Sequence, residues 1–166
     1  MDISYSYKEF EYPHLEKVLR EFGNAIEEYM RERLTGNKTN ASESLLHSIK
    51  HIITKDGQDY EVSISLEEYW KYVENGTKPH WPPRQAIVSW ILVKPVIPEE
   101  RNGKLPTIEQ LGYLIRRKIS EKGTRPQPFF WNSVEQAMRE FEEAIAAAIE
   151  TDIDEGVETL LLSLQF

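Results

Sequence analysis

Two near-identical hexapeptides constrain the fold of this chain more than any other feature of its sequence. They are Glu74-Asn75-Gly76-Thr77-Lys78-Pro79 and Glu121-Lys122-Gly123-Thr124-Arg125-Pro126. In each, glycine can take the left-handed conformation that ends a helix, and the proline prevents the helix from continuing. The threonine hydroxyl can hydrogen-bond to nearby backbone in such a turn. The sequence therefore predicts two helices that end in the same way, at Gly76 and Gly123.

Helical periodicity is strongest near the two ends of the chain. Apolar residues at spacings of three and four run from Leu15 to Leu34, and Gly36 with Asn37 predicts the end of this helix. A second long helix follows the proline-rich segment 125–128. We expect its core-facing side to carry Val134, Met138, Phe141, Ile145, Ile149 and Ile153.

Two capping boxes predict the starts of shorter helices between these long ones. Ser65 with Glu68 predicts a short helix that runs through Tyr69, Trp70, Tyr72 and Val73. Thr107 with Gln110 predicts a longer helix that reaches the second hexapeptide. In both cases the side chain of the first residue would accept a hydrogen bond from an otherwise unpaired backbone N–H.

A pair of prolines predicts one further helix. Pro82-Pro83 fits a first helical turn, where a missing N–H costs nothing. Ile87, Trp90 and Ile91 then form the face that we expect to be buried.

Residues 48–65 favour a β-hairpin. Asp56-Gly57 is a preferred two-residue turn, and branched and aromatic residues flank it. This turn predicts a register that pairs Lys55 with Gln58, Ile53 with Tyr60, His51 with Val62, and Ile49 with Ile64. The fold class that follows is α+β: a long N-terminal helix, a small antiparallel sheet with a β-hairpin, short helices and a long C-terminal helix. We expect a single domain over residues 1–166, with 150–166 as a C-terminal arm.

Composition narrows the function classes. The chain has 166 residues, of which 20 are basic and 28 acidic, giving a formal net charge of −8. This sign is unusual for a non-specific binder of nucleic acids or anionic membranes. The absence of cysteine excludes disulfides, thiolate nucleophiles and cysteine-based metal centres. The first ten residues lack the basic start and apolar stretch of a secretory signal, so we expect a cytosolic protein, at least initially.

The sequence offers weak candidates for metal binding and catalysis. His47 and His51 are four residues apart, a spacing that on a helix can place two imidazoles over one metal ion. On a strand the same residues lie about 13 Å apart and cannot share an ion. A glycosidase-like carboxylate pair could come from Glu67, Glu68, Glu74 and Glu121. Acidic residues favour the first turn of a helix, which explains Glu67 and Glu68 without catalysis. We therefore assign no catalytic residue, and we expect no metal and no cofactor.

The C-terminal region combines acidic and apolar residues. We expect its acidic cluster to be a solvated helix face: Glu140, Glu142, Glu143, Glu150, Asp152, Asp154 and Glu155. The apolar residues of the chain end need burial against another surface. They are Val157, Leu160, Leu161, Leu164 and Phe166.

An ordered string of motifs spans the middle of the chain. It begins Tyr69-x-x-Tyr72-Val73-Glu74-x-Gly76-Thr77-Lys78-Pro79-His80-x-Pro82-Pro83, continues through the helix with Ile87 and Trp90, and ends Gly123-Thr124-Arg125-Pro126-x-Pro128-Phe129-Phe130. This string resembles the small tail-completion or neck (head–tail joining) proteins of long-tailed bacteriophages and prophages. The resemblance covers roughly residues 5–150. The acidic segment after Phe141 departs from the family pattern.

The resemblance implies a non-enzymatic structural protein of the virion. Such a protein forms a hexameric ring between the head connector and the tail. It is found in the host cytoplasm before assembly and in the virion neck afterwards. Its implied partners are further copies of itself, head-completion or connector proteins, and tail terminator or tail tube proteins. Genomic DNA passes through without specific binding, and no membrane is involved. The implied turn and interface residues are Tyr72, Glu74, Gly76, Thr77, Pro79, His80, Pro82, Pro83, Trp90, Gly123, Thr124, Pro126, Pro128, Phe129 and Phe130.

Three alternatives stay open at this point. The first is a tail terminator or another connector ring protein, which needs similar binding surfaces. The second is a carboxylate-dependent hydrolase carried by the same phage, with Glu74 as its candidate acid. The third is a cytosolic regulatory module whose apolar C-terminus docks elsewhere.

Overall fold

The computed structural model describes residues 11–36, 43–93, 98, 100 and 105–163, and within these it is mostly helical. The elements in chain order are α1 Pro13–Gly36, α2 Glu43–Ser48, β1 Lys50–Asp56, β2 Asp59–Ser65, α3 Trp70–Asn75, α4 Arg84–Val93, α5 Ile108–Lys122 and α6 Phe130–Ser163. Helices with a small antiparallel sheet and long helices near both ends agree with the predicted α+β class. The predictions for Asn37, Leu164 and Phe166 lie outside the described residues.

The chain divides into two compact units. Unit 1 contains residues 1–30, 49–65 and 131–166, and unit 2 contains residues 31–48 and 66–130. The expectation of a single domain stays a prediction. Within the described residues, no helix combines the length and the apolar character needed to cross a membrane.

The helix α1 forms where its apolar periodicity predicts it. Ile26, Met30 and Leu34 are buried, and the helix ends at Gly36 as expected. In unit 1 the ring of Phe22 packs edge-to-face on that of Phe141, with centroids 5.8 Å apart. These contacts bring α1 against α6.

The hairpin is present, but the predicted register is wrong by two residues. Asp56 pairs with Asp59, so that Gly57 and Gln58 form the turn. Gly57 has a φ of 60° in the first turn position, where glycine is favoured. His51 therefore pairs with Ile64 and Ile53 with Val62. A shift of two residues leaves every side chain on its predicted face, because side chains alternate along a strand.

The helix α6 is where the sequence predicts it, but its predicted core-facing side is correct only in part. Val134, Phe141 and Ile145 are half-buried. Met138, Ile149 and Ile153 are exposed. The buried positions instead carry smaller or polar side chains: Ser133, Ala137, Ala148 and Asp152. Alanine and serine at a helix face allow close approach of a neighbouring element, and the buried Asp152 has hydrogen-bond partners on α1.

One of the two predicted capping boxes forms and the other does not. The side chain of Thr107 accepts from Gln110 N, and the side chain of Gln110 accepts from Thr107 N, so α5 begins as predicted. Ser65 instead ends β2, and α3 begins only at Trp70. Glu67 and Glu68 therefore precede α3 rather than filling its first turn.

The proline pair lies directly before α4, which begins at Arg84. Ile91 is buried as predicted, and Ile87 is half-buried. Trp90, expected on the buried face, is 39% exposed. The core of unit 2 also includes Leu45 and Phe129, both fully buried.

Candidate functional site

The two hexapeptides lie against each other in unit 2, and we call residues 74–79 and 121–126 the paired loops. The N–H of Thr77 donates to the carbonyl of Thr124 at 3.3 Å, and the N–H of Thr124 donates to the carbonyl of Thr77 at 3.2 Å. The two bonds form a short antiparallel bridge. The hydroxyl of Thr124 also donates to that of Thr77 at 3.1 Å. Each threonine therefore holds the other loop instead of closing its own turn.

Glycine is required twice in this pairing. Gly76 has φ 67° and ψ −172°, and Gly123 has φ 69° and ψ −162°. The positive φ agrees with the sequence, but the extended ψ does not: this region is essentially restricted to glycine and differs from the left-handed helical cap that was predicted. A Cβ on Gly76 would overlap with the carbonyl oxygen of Thr124, and one on Gly123 with that of Thr77. Both the conformation and the close approach of the loops therefore exclude a side chain.

Glu74 ties the first loop to the start of α6. Its side chain is only 4% exposed, and its Oε2 accepts from the N–H of Phe129 at 2.7 Å and of Phe130 at 2.8 Å. The first N–H groups of a helix have no partner within the helix, and a negative charge there is favourable. Glu74 thus acts as a capping group supplied from 55 residues away.

Aromatic packing supports the same junction. Phe129 is fully buried, and the ring of Phe130 stacks on that of Trp70 with centroids 4.6 Å apart. The N–H of Gln127 donates to the carbonyls of Val73 and Glu74 at 2.9 and 3.1 Å. The segment after the second loop is therefore fixed against α3 by both backbone and side-chain contacts.

The glutamates of the two hexapeptides have different environments. Glu121 is exposed and accepts from Arg117 Nε at 2.9 Å, one helical turn away. This hydrogen bond and the adjacent charge raise the pKa of Arg117. The two hexapeptides therefore share the turn and its pairing, but only the glutamate of the first hexapeptide is buried.

An aromatic and basic surface lies beside the paired loops. The carbonyl of Pro82 accepts from Arg116 Nε at 2.9 Å, and the guanidinium of Arg116 lies 5.3 Å from the ring centroid of Trp81. The rings of Trp81 and Tyr113 are 6.3 Å apart, and each residue is 55% exposed. Sequence reasoning missed Arg116 and Tyr113. Their spacing of three on α5 was a usable signal that they share one side of the helix.

A shallow cavity of about 220 Å³ opens on the same side of unit 2. Arg84 and Glu109, both at its wall, form an ion pair at 2.7 Å. The lining residues are Arg84, Val88, Glu109, Gly112, Tyr113 and Arg116. Arginine and aromatic side chains such as Arg116 and Tyr113 are enriched in protein–protein interfaces.

The other residues implied by the resemblance differ in their exposure. Pro82 is buried, whereas Tyr72, Pro79, His80, Pro83, Pro126 and Pro128 are exposed. Nδ1 of His80 lies 2.9 Å from the carbonyl oxygen of Lys78. The backbone N–H of His80 donates to the carbonyl of Ile119 at 3.4 Å. Of the predicted site residues, Thr77 contacts Thr124, and Glu74 contacts Phe129 and Phe130. Trp90 lies on α4.

A second remote cap, which sequence reasoning missed, lies in unit 1. Asp152 is 2% exposed, which corrects its assignment to the solvated acidic cluster. Its Oδ1 accepts from His14 N at 3.0 Å, and its Oδ2 accepts from Leu15 N at 2.8 Å, in the first turn of α1. His14 Nδ1 lies 2.7 Å from Oδ1. Burial raises the pKa of Asp152, but these three hydrogen bonds outweigh it and leave the pKa below its ordinary value.

His47 and His51 belong to different elements, α2 and β1. His51 Nδ1 lies 2.6 Å from Glu27 Oε1, and the same oxygen accepts from His51 N at 2.7 Å. Gly23 on α1 leaves room for the imidazole, since a Cβ there would overlap with the ring. Over the described ranges no group of three or more potential ligands is placed to hold a metal ion.

No family model matches the chain, and no curated protein or solved structure shows significant similarity to it. The likeness to phage neck proteins therefore rests on the motif string alone. The site itself offers exposed aromatic and basic side chains on a rigid base, which suits binding to another protein.

Proposed function

We propose that this chain is a structural virion protein of the phage neck, which joins the tail to the DNA-filled head as one subunit of a hexameric ring around the DNA channel. The observation that carries the proposal is the motif string together with the pairing of its two Gly-Thr loops. The motifs that define the resemblance are 47 residues apart in sequence at their threonines, and they meet in one place.

Exposed aromatic residues of unit 2 support a binding role. They include Tyr72, Trp81 and Tyr113, which are 65%, 55% and 55% exposed. Aromatic residues contribute strongly to protein interfaces because they bury a large area at little cost in conformational entropy. A base fixed by backbone hydrogen bonds presents them with little reorganisation on binding.

Glu74 bears on the hydrolase alternative. Its buried Oε2 is held by two backbone N–H groups at the start of α6. A carboxylate in that position stabilises a helix, and this explains its burial without catalysis. A tail terminator or another connector ring remains the second candidate, since the same exposed aromatic residues would serve any ring contact.

The proposal is tested by locating the chain in virus particles. Particles induced from the source strain are purified, and an antibody to the chain is detected with gold by electron microscopy. We expect gold label at the head–tail junction of intact particles. In gradients of disrupted particles, we expect the antibody to detect the chain together with other virion proteins. A second antibody, against the major tail tube protein, provides the control for accessibility.

Two outcomes would contradict the neck role. Label along or at the distal end of the tail would instead favour a tail component. Absence from both intact and disrupted particles would remove the structural role. Measurement of which purified connector or tail protein the chain binds then distinguishes neck from tail terminator.

A further inference from the structure

Charge is distributed unevenly between the two units. Unit 2 contains fourteen basic and nine acidic residues, whereas unit 1 contains six basic and nineteen acidic residues. The net charge of −8 therefore combines a basic unit with a strongly acidic one. Surfaces of opposite sign on one chain allow two copies to attract each other through different faces.

The second half of α6 presents an exposed apolar row. Ile149, Ile153, Val157 and Leu161 follow one another at intervals of four, and so lie along one side of the helix. They are 36%, 44%, 46% and 59% exposed. Directly beside this row lies an acidic row, Glu150, Asp154 and Glu158, with the same spacing. Within the part of the chain that the structure describes, these three carboxylates form no ion pair.

The helix α5 carries a complementary row in unit 2. Leu114, Lys118 and Lys122 are also four residues apart, and all three are exposed. Leu114 is 51% exposed. This lysine row combines an exposed apolar side chain with positive charge. The two rows of α6 together combine apolar side chains with negative charge.

We propose that the apolar and acidic rows of α6 dock against the lysine row of α5 on a second copy of the chain. Opposite charges select this pairing, whereas contact between two α6 helices would bring the acidic rows together. Because each copy uses two different surfaces, the contact is heterologous, and it closes into a ring when the rotation permits. The inference rests on the proposed function, because it names the contacts that the proposed ring would use.

A charge-swap experiment tests the pairing. One full-length variant carries Lys118→Glu with Lys122→Glu, and the other carries Asp154→Lys with Glu158→Lys. Each variant alone would place like charges across the contact, whereas an equimolar mixture restores opposite charges at every contact. We expect sedimentation velocity to show self-association of the wild type, loss of about tenfold or more in affinity for each variant, and recovery in the mixture.

Every other result overturns the proposal. A wild type that stays monomeric at all concentrations excludes self-docking. Unchanged association of the lysine variant favours contact between α6 helices. Two weakened variants whose mixture does not recover show that these rows do not face each other. Helix content and melting temperature, measured by circular dichroism, establish that the variants are folded.

The apolar row has its own test, which does not depend on charge reversal of α5. Ile153→Glu places a carboxylate in the row, and we expect it to abolish association. Thr159→Glu adds the same charge at an exposed position about a third of a turn around α6 on the side away from the acidic row, and we expect it to keep wild-type association. Equal effects of the two substitutions would contradict a docking role for the row.

The inference and the proposed function can fail separately. A chain that associates through these rows but is absent from virus particles keeps the inference and loses the neck role. A chain at the neck whose charge swap has no effect keeps the neck role and loses the proposed contact.

Discussion

Gly76 and Gly123 are the residues at which the paired loops are most sensitive. Their backbone lies in a region that is essentially closed to other residues, and the carbonyl groups of the opposite loop occupy the space that a Cβ needs. Because strain and overlap add, we expect Gly76→Ala and Gly123→Ala each to lower the free energy of unfolding by about 3 kcal/mol or more. Urea denaturation of the purified variants measures the change.

Two other glycines separate the causes. Gly57 has a φ of 60° but open space around it, so Gly57→Ala should cost about 1 kcal/mol from strain alone. Gly36 has no atom near its Cβ position, and Gly36→Ala should be neutral or slightly stabilising. If Gly123→Ala costs no more than Gly57→Ala, close approach of the loops contributes nothing.

The two hexapeptide glutamates form a matched pair for mutation. Glu74→Ala removes a buried acceptor from two N–H groups at the start of α6, and we expect the free energy of unfolding to fall by about 2 kcal/mol. Glu74→Gln keeps one carbonyl acceptor and should cost less. Glu121→Ala removes only an exposed ion pair and should change stability by less than about 0.5 kcal/mol. Similar losses at both positions would contradict the capping role of Glu74.

Asp152 gives the protein a pH dependence of known sign. Its pKa in the folded state is lowered, because the hydrogen bonds from Leu15 N, His14 N and the His14 ring outweigh the opposing effect of burial. The stabilisation is therefore complete above the ordinary aspartate pKa of about 4 and is lost as the pH falls through the lowered value. Asp152→Asn should lower the free energy of unfolding at pH 7 by about 1–3 kcal/mol and flatten its decline below about pH 4. Thermal denaturation across pH, with exposed Asp154→Asn as control, measures both effects; equal curves for the two variants would contradict this role.

At the scale of elements, two similar capping boxes had different outcomes. Thr107 with Gln110 begins α5, whereas Ser65 lies at the end of β2 opposite Lys50. Local sequence specifies a cap only where no strand pairing competes for the same residues. We expect Thr107→Ala to lower the free energy of unfolding by about 1 kcal/mol, and Ser65→Ala to leave it within about 0.5 kcal/mol. Chemical denaturation compares them, and a larger loss for Ser65→Ala would contradict the assigned element boundaries.

Periodicity predicted the long helices but not the buried side of α6. Its apolar residues occupy a wide sector: Ile149 and Ile153 are exposed, Phe141 and Ile145 are half-buried, and the small Ala148 is buried together with Asp152. The choice depends on α1, whose first N–H groups bond Asp152. The hairpin register had a similar cause: a two-residue shift leaves the apolar faces unchanged, so the pattern could not choose between the turns.

The candidate site was predictable as local turns and not as a contact. The repeated glycine, threonine and proline predict two helix ends, and the positive φ of both glycines agrees with this. Their pairing joins Thr77 and Thr124 across 47 residues, and Glu74 reaches Phe129 across 55. No local pattern specifies contacts at such separations, because they depend on how the helices pack.

For the whole molecule, net charge is a poor guide to the surface that a partner meets. The value of −8 suggests a chain that repels DNA, but the basic excess of unit 2 and the acidic excess of unit 1 behave differently. A channel wall formed by unit 1 would repel phosphate, whereas one formed by unit 2 would attract it. In the proposed neck ring, a channel that lets DNA slide would therefore be lined by the acidic surface of unit 1.

Salt concentration tests the proposed contact between two copies of the whole molecule. This contact combines charges, which salt screens, with apolar side chains, which it does not screen. Screening weakens exposed ion pairs, so we expect the affinity of self-association to fall several-fold between about 0.05 and 0.5 M NaCl. A variant with Lys118→Met and Lys122→Met keeps apolar stems without the charges, and its weaker association should lose most of this salt dependence. Sedimentation equilibrium measures both. Wild-type association that is unchanged or strengthened by salt would place the acidic and lysine rows outside the contact, and would leave the apolar row as the only part of α6 that docks.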